Sequence, residues 1–353
     1  MDLKRLSTLL GLSQTTVSRA LNGFPEVSEK TRKRVLEAAR EHDYRPSSRA
    51  TALATGQARA VAHVVPLGLD PGAQGTSGGH RMINPHFSDF LAGAGLAYAR
   101  AGYEMLLRTV DPSEERDVTA DLVRRGRVDG LVIHGPMVEE PRIEATRALG
   151  VPFIVHGRSR VPAADYAYLD VDNEESFRAL AAGLLERGHR RIALINGMET
   201  MTFALARREG YVAALRAAGI EPDPALVTSD DMTEPYGHAA TRTLLALPDP
   251  PTAFLYASVL TAMGGMRALA DAGRKIGGNV SVAAYDDDLS FLRGGPAHPG
   301  PYAGLTVARS SLSAAGERAG EMLLAMIADP DAPLPQEVWQ PELVWTASAE
   351  RTG

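Results

Sequence analysis

The 353-residue chain has no cysteine. Disulfides, thiolate zinc sites and a cysteine nucleophile are therefore excluded, and the composition fits a reducing compartment. No apolar run approaches the ~18 residues of a membrane span. The start, MDLKRLS, is charged at once and carries no apolar signal region, so export is not expected. The P-loop, HExxH and GxSxG patterns are missing, as are the periods of helical or propeller repeats. The nine histidines show no ligand-like spacing. Gly93-Ala94-Gly95 looks like part of a dinucleotide fingerprint, but it falls inside a predicted helix and not after a strand. The expectation is a cytoplasmic protein with no cofactor, no metal, no membrane contact and no enzyme activity.

What is present is a soluble composition, 44% hydrophobic and 23% charged, in a chain long enough for two or three domains. The net charge of −6 hides an asymmetry. Residues 1–60 hold 11 Lys and Arg against 6 Asp and Glu, and the remainder holds 26 against 37. A basic head on an acidic body suggests that only the head meets a polyanion. The plain alternative is a chance surface bias.

The head reads as all-helical. Leu3, Leu6 and Leu10 share one helical face, and Gly11 breaks that helix. Ser13 caps a second helix through Leu21, with Val17, Ala20 and Leu21 inward. Asn22-Gly23 and Pro25 end it, and Ser28 caps a third helix that Tyr44-Arg45-Pro46 stops. Two short helices about a glycine turn form a helix-turn-helix. With Leu12 and Val17 inside, Gln14, Thr15, Ser18, Arg19 and Asn22 must face out. Gln can pair bidentately with adenine and Arg with guanine, while hydroxyls and amides hold phosphates. A solvated polar face on a structural hairpin is the competing reading.

From residue 61 the pattern alternates. The strands read are VAHVVPL, YEMLLR, DGLVIH, VPFIV, RIALING, PTAFLYAS and VSVAAYDD, with helices between them. QEVWQPELVW reads as one further strand after a helix over Leu312–Ala328. Such alternation implies parallel sheets covered on both faces, here two doubly wound subdomains with a ligand site at the strand carboxyl ends.

The stretch SQTTVSRALNGFPEVSEKTRKRVLEAAREHDYRPSSRATAL resembles the headpiece of the LacI/GalR family of transcriptional regulators. The resemblance continues in family order through NPHFSDFLAG, VDGLVIHGP, VPFIVHGR, VDNEESFRAL, RGHRRIALING, ARREGYVAAL, DAGRKIGGNVSVAAYDD and LTVARSSL. It implies an all-α helix-turn-helix headpiece (1–46), a hinge helix or linker (47–60), and an α/β periplasmic-binding-protein-like core. The expected N-subdomain is 61–160 with about 290–328, and the C-subdomain 161–289 with about 329–353. Gln14, Thr15 and Arg19 match the family's base-reading positions. Ser13, Thr16, Ser18, Asn22, Ser28, Thr31 and Tyr44 match positions that hold the phosphate backbone. Leu53 matches a minor-groove wedge; a helix as short as SSRATALAT is marginal alone and would order only against DNA and a dimer partner. Without DNA the same stretch reads as a flexible linker.

In the cleft, the resemblance assigns effector contacts to Phe87, Arg158, Arg207 and Asp286. A structural ion pair is the alternative for each charged residue. Ser258-Val259 stands where the family usually has Asn-Asp, so Ser258 is a shortened contact. A Gly-rich insert at 67–83, longer than the family's usual link, reads as a lid or, by preference, a disordered loop. The resemblance implies a homodimer on a pseudo-palindromic double-stranded operator, controlled by a small-molecule effector. The last residues, AERTG, bring no leucine heptads for a tetramer. The wording is nearest to members that sense α-glucosides, so a sugar effector and a repressor of carbohydrate uptake or catabolism genes are expected. A purine is disfavoured because Gly157-Arg158 after the VPFIV strand offers no aromatic. A phosphoprotein corepressor stays open, and a sugar-acting enzyme would need an acid–base pair that the sequence does not supply.

Overall fold

A computed structural model of the chain describes residues 1–44, 56–66, 85–160, 166–294, 300, 302 and 304–350. The wedge residue Leu53, most of the expected hinge and the 67–83 insert lie outside the described residues.

The headpiece forms α1 (Leu3–Leu10), α2 (Gln14–Leu21) and α3 (Glu29–Glu41). Gly11 ends α1 at φ 63°, a left-handed conformation that releases the chain into the turn. Leu6, Leu10, Val17, Ala20, Val35 and Ala39 form its core, joined by Val27, which sequence reading passed over. Leu12 and Leu21 are only half-buried at its margin.

The core holds two six-stranded sheets. The first contains β1 (Ala60–Pro66), β2 (Glu104–Val110), β3 (Gly130–His134), β4 (Phe153–His156), β5 (Ala167–Val171) and β11 (Gln336–Trp339). Its order is 2-1-3-4-5-11, all parallel. The second contains β6 (Ile192–Asn196), β7 (Val227–Ser229), β8 (Ala253–Tyr256), β9 (Ser281–Asp286), β10 (Thr306–Arg309) and β12 (Glu342–Val344). Its order is 7-6-8-9-10-12, with only β12 antiparallel. The matching orders give each sheet a switch point where its connections reverse direction, at β1/β3 and β6/β8. The helices are α4 (Pro85–Arg100), α5 (Glu115–Arg124), α6 (Pro141–Arg147), α7 (Asn173–Glu186), α8 (Thr202–Ala217), α9 (Glu234–Leu245), α10 (Val259–Asp271) and α11 (Leu312–Ala328).

Three subdomain boundaries differ from the sequence expectation. The first crossing follows β5 and not residue 160, because β5 lies between β4 and β11 in the first sheet. The second follows β10 near residue 310 and not 290, because β10 pairs with β9. The third lies between Trp339 and Glu342: QEVWQPELVW is two strands in two sheets, parted at Gln340-Pro341. A proline cannot donate to a ladder, so the run is interrupted where the chain changes sheet. Strands β5, β7 and β10 and helix α9 were not read from sequence.

Glycine sets the spacing of three helix pairs. A Cβ on Gly93 of α4 would lie 1.8 Å from the Ser313 carbonyl oxygen of α11, and one on Gly316 2.0 Å from that of Phe90. The α9/α10 crossing repeats this reciprocity, with Gly237 against Thr261 at 2.0 Å and Gly264 against Glu234 at 1.9 Å. In α7/α8, Gly210 meets the Glu174 carbonyl at 2.0 Å. These are backbone-to-backbone contacts, so a side chain has no room to move aside. Gly93→Ala and Gly264→Ala are each expected to destabilise the core by about 1–3 kcal/mol through forced helix separation. Chemical denaturation would read this as a lowered midpoint, whereas Gly95→Ala, whose Cβ would make an ordinary 3.6 Å contact with Met105, should leave it nearly unchanged.

Candidate functional site

The helix-turn-helix presents a polar surface from α2. Gln14, Thr15 and Arg19 are exposed, while Val17 and Ala20 on the opposite side are buried. Ser13 caps α2 by accepting from Thr16 N–H at 3.1 Å, and its hydroxyl is 2.8 Å from that of Thr16. Ser28 does the same for α3, 3.3 Å from Thr31 N–H and 2.9 Å from the Thr31 hydroxyl. Both N-termini are thus capped by hydroxyls that can also reach an anion placed where the helix dipole favours negative charge. Asn22 donates to the Ser18 carbonyl at 2.9 Å, closing α2. Tyr44 is half-buried at the edge of the headpiece core.

Among the described residues, two hollows in the core bear on the site. The larger, about 780 Å³, lies under α5 and α6 and is lined by Glu115, Arg124 and Arg142 among others. The smaller, about 280 Å³, lies between the subdomains where β3, β4, β5 and β9 end. Doubly wound sheets take ligands at strand carboxyl ends, so the smaller cavity is the candidate effector site. Hydrogen bonds between the subdomains border it. Thr202 N–H and Oγ donate to the Pro136 carbonyl at 3.1 and 3.0 Å, and Val138 N–H donates to Thr200 at 2.9 Å. On the other side Ser290 donates its N–H and hydroxyl to Asp89, each at 2.6 Å.

Arg207 is the centre of the polar wall. It is only 4% exposed. Its Nε donates to Asn173 Oδ1 at 2.8 Å and its Nη1 to the Ala257 carbonyl at 2.5 Å. The guanidinium lies 4.0 Å from the Tyr285 ring, 4.9 Å from Phe203 and 5.2 Å from Phe177. Such cation–π contacts gain strength when desolvated. Burial lowers its pKa from the arginine range, opposed by Tyr285, Asp287 and Asp170. Arginine still stays charged. Asn173 links Arg207 to Asp170, its amide 3.4 Å from the carboxylate, and burial pushes Asp170 up to about 6 despite a bond from Val171 N–H and the nearby Arg158 and Arg207.

The structure brings Phe87 and Arg207 to the cavity wall, as read from sequence. It does not bring Asp286, Ser258 or Arg158 there. Asp286 is fully buried behind the wall, ion-paired to Arg309 at 2.7 Å. Asp287, the next residue, lines the cavity instead. Successive strand residues face opposite ways, and three consecutive aspartates hide which one points in. Asp286 also shares a subdomain with Arg207, so the two do not oppose each other across the cleft. Ser258 caps α10 and is 2.9 Å from His86 Nε2. Arg158 is about half-exposed and reaches the site only through Asp170, at 3.5 Å. Asp170, Asn173, His134 and Asp287 were missed as site residues; Asp170 sits on the strand that sequence reading also missed. The aromatics looked for after β4 come instead from α4 and α8, as Phe87 and Phe203. Among the described residues no cluster of three or more His, Cys, Asp or Glu could hold a metal ion, and no helix is long and apolar enough to cross a membrane.

This architecture defines a two-part regulator, a DNA-reading head on a ligand-binding core, and comparison with known proteins agrees. Residues 4–47 match the model of bacterial regulatory proteins of the lacI family, and residues 181–349 match a periplasmic binding protein-like domain. The HTH-type transcriptional regulator AglR of Rhizobium meliloti (strain 1021) is 42% identical over 351 residues, 99% of this chain and 94% of AglR. A transcriptional regulator CelR–cellobiose complex superposes with TM-score 0.69 at 28% identity, covering 99% of both chains. A lac repressor dimer bound to operator and the anti-inducer ONPF superposes with TM-score 0.80 at 23% identity, also over 99% of both chains, which shows the shared fold. The chain belongs to the LacI family of bacterial transcriptional regulators. It is a ligand-responsive DNA-binding regulator and not an enzyme.

Gln14→Ala or Arg19→Ala is expected to remove about 1–3 kcal/mol of base discrimination at one half-site position. Binding to single-base operator variants would show the preference relaxed there, while an unchanged preference profile would remove these residues from base reading. The raised Asp170 pKa makes a second prediction. A carboxyl that holds its proton more tightly when folded adds stability below the ordinary aspartate range and loses it as pH rises through about 6. Asp170→Asn should therefore raise the melting temperature at pH 7 but not at pH 4. The gain is at most about 2–3 kcal/mol, two pKa steps at 1.36 kcal/mol each.

Proposed function

We propose that the chain is a dimeric cytoplasmic repressor of carbohydrate uptake or catabolism genes, with a sugar of the α-glucoside kind as its effector. The observation that carries the sugar reading is the composition of the cleft wall. Arg207 keeps Nη2 without a hydrogen bond among the described residues, and Asp170 and Asp287 supply acceptors. Vicinal hydroxyls donate and accept at once, so they suit a wall that offers both. Phe87, Phe203 and Tyr285 supply apolar ring surface for a pyranose face. At about 280 Å³ the cavity lies just below the usual size of ligand pockets, about 300–1,000 Å³. The complex of the relative CelR with cellobiose supports a sugar as the ligand.

The reading on DNA is a two-fold dimer on a pseudo-palindrome. The exposed Gln14, Thr15 and Arg19 read bases, and the capping hydroxyls of Ser13, Thr16, Ser28 and Thr31 hold phosphates, joined by Ser18, Asn22 and Tyr44. Leu53 is assigned the wedge role in the minor groove by resemblance alone. Because rings line the cleft after all, a purine belongs in the same test as the sugars.

A thermal-shift screen of maltose, sucrose, trehalose, cellobiose, polyols and purines decides the effector class. A ligand at 100 times its dissociation constant should add about 2.7 kcal/mol of stability. A disaccharide shift that disappears in Arg207→Lys is the expected result. A shift with a purine and none with any sugar would overturn the effector class.

A further inference from the structure

The wall of the smaller cavity is unevenly charged. Among the described residues it holds four aspartates, Asp170, Asp230, Asp231 and Asp287, and one arginine, Arg207. Asp230 accepts the Asp231 N–H at 2.8 Å, and the half-buried Asp231 carboxylate has no hydrogen bond or ion pair among the described residues. The neighbouring cations do not restore the balance. Arg309 is paired with Asp286 at 2.7 Å and Arg208 with Glu199 at 2.5 Å, while Arg158 stands outside the wall, 3.5 Å from Asp170. Burial holds His134 well below the ordinary histidine range and His156 down to about 4, so both are neutral near pH 7. Counting His86, 3.1 Å from Asp287, as a cation still leaves two positive groups against four carboxyls.

Arg207 is poorly placed to hold an anion. It is 4% exposed, and its Nε and Nη1 already donate to Asn173 and Ala257. Nη2 is left as the one guanidinium nitrogen without a partner, and it is not sealed from the cavity. A phosphate or carboxylate is ordinarily gripped by a fork of two such nitrogens. Two helix starts at the wall are also spent. The Thr202 N–H, first in α8, donates to the Pro136 carbonyl, and the Leu312 N–H, first in α11, to the Asp287 carbonyl.

The acids are spread along the wall. Asp287 follows β9 and Asp230 follows β7, and the order 7-6-8-9 sets these strand ends three spacings apart, roughly 14 Å. Every point along that row therefore lies within one Debye length, about 8 Å, of a carboxylate. Asp170 adds a further acid from β5 of the first sheet. Coulomb repulsion needs no contact, so a carboxylate just behind the surface counts as well as one on it.

We propose that the cavity admits uncharged sugars and refuses phosphorylated or carboxylated ones, with Asp230 and Asp231 acting at the β7 end and Asp287 at the β9 end. What is admitted rests on the sugar reading of the cleft; the refusal of anions rests on the charges alone. Like charges brought together at a site weaken binding by about 100-fold or more.

The field can be read without a ligand, in full-length protein carrying ¹³C-methyl methionine. Met198 and Met232 line the β6–β7 end of the cavity, and each methyl is assigned through its loss in Met198→Leu or Met232→Leu. A small cationic nitroxide should broaden both methyls at least about three-fold more than its anionic counterpart. Equal broadening, or more from the anion, overturns the proposal. Calorimetry on matched pairs then reads the selection: trehalose and trehalose 6-phosphate, maltose and maltose 1-phosphate, sucrose and sucrose 6-phosphate. The phosphorylated member should bind about 100-fold more weakly. The double variant Asp230→Asn, Asp231→Asn should recover at least about ten-fold of that loss. A phosphorylated sugar that binds as tightly as its neutral partner overturns the proposal, and a gap unchanged in the double variant overturns the part given to Asp230 and Asp231. If no member of any pair binds, the sugar reading fails, while the methyl broadening still decides the charge selection. Both wild-type readings stand even where a variant fails to fold.

Discussion

A buried guanidinium cannot be left unpaired, and the second subdomain is arranged around that constraint. Breaking a buried charge pair is strongly destabilising, so the partners of such a charge are fixed as firmly as the charge. Arg207 draws its partners from the start of α7, the end of β8 and the ring at the end of β9. Those three points lie close together only if the sheet order is 7-6-8-9-10 and the chain enters α7 straight from the first sheet. The cavity exists because these elements stop together. The hydrogen bond that Arg207 Nη2 leaves unmade among the described residues is one that a polar occupant could complete.

The parts of the molecule lie at different distances from what sequence can express. The headpiece was legible because its signals are local: a glycine at the turn, serine caps three residues from their targets, and apolar spacing over two or three turns. The central strands were legible because both faces are buried and they read as continuous apolar runs. Strand β5 was hidden because Asp170 and Val171 run into Asp172, Asn173 and two glutamates, a polar stretch that reads as a loop entering a helix. Its strand character comes from neighbours distant in sequence, with β11 beginning 165 residues after it ends.

The site was less legible than the fold for the same reason. Arg207 and Phe87 could be placed by resemblance, and both line the cavity. Asp286 could not be told from Asp287, since one lattice step at a strand end exchanges a core ion pair for a cavity acceptor. His63 and Tyr98 leave no trace in a sequence pattern: a lone histidine in an apolar strand and a tyrosine in an alanine-rich helix. Only the fold shows that Tyr98, His63 and His134 form a hydrogen-bonded line.

The reciprocal glycines of α4 and α11 have a mechanical consequence. Where side chains separate two helices, a small push can be absorbed by rotamer changes; where backbone touches backbone, that cushion is missing. The two helices therefore behave as a single stiff beam. One end of α4 carries His86 and Phe87 at the cavity, and its other end, Arg100, is roughly 24 Å away for a 16-residue helix. A displacement that an occupant imposes at the first end has to emerge at the far end with little loss, beside the start of β2 and on the edge of the first sheet.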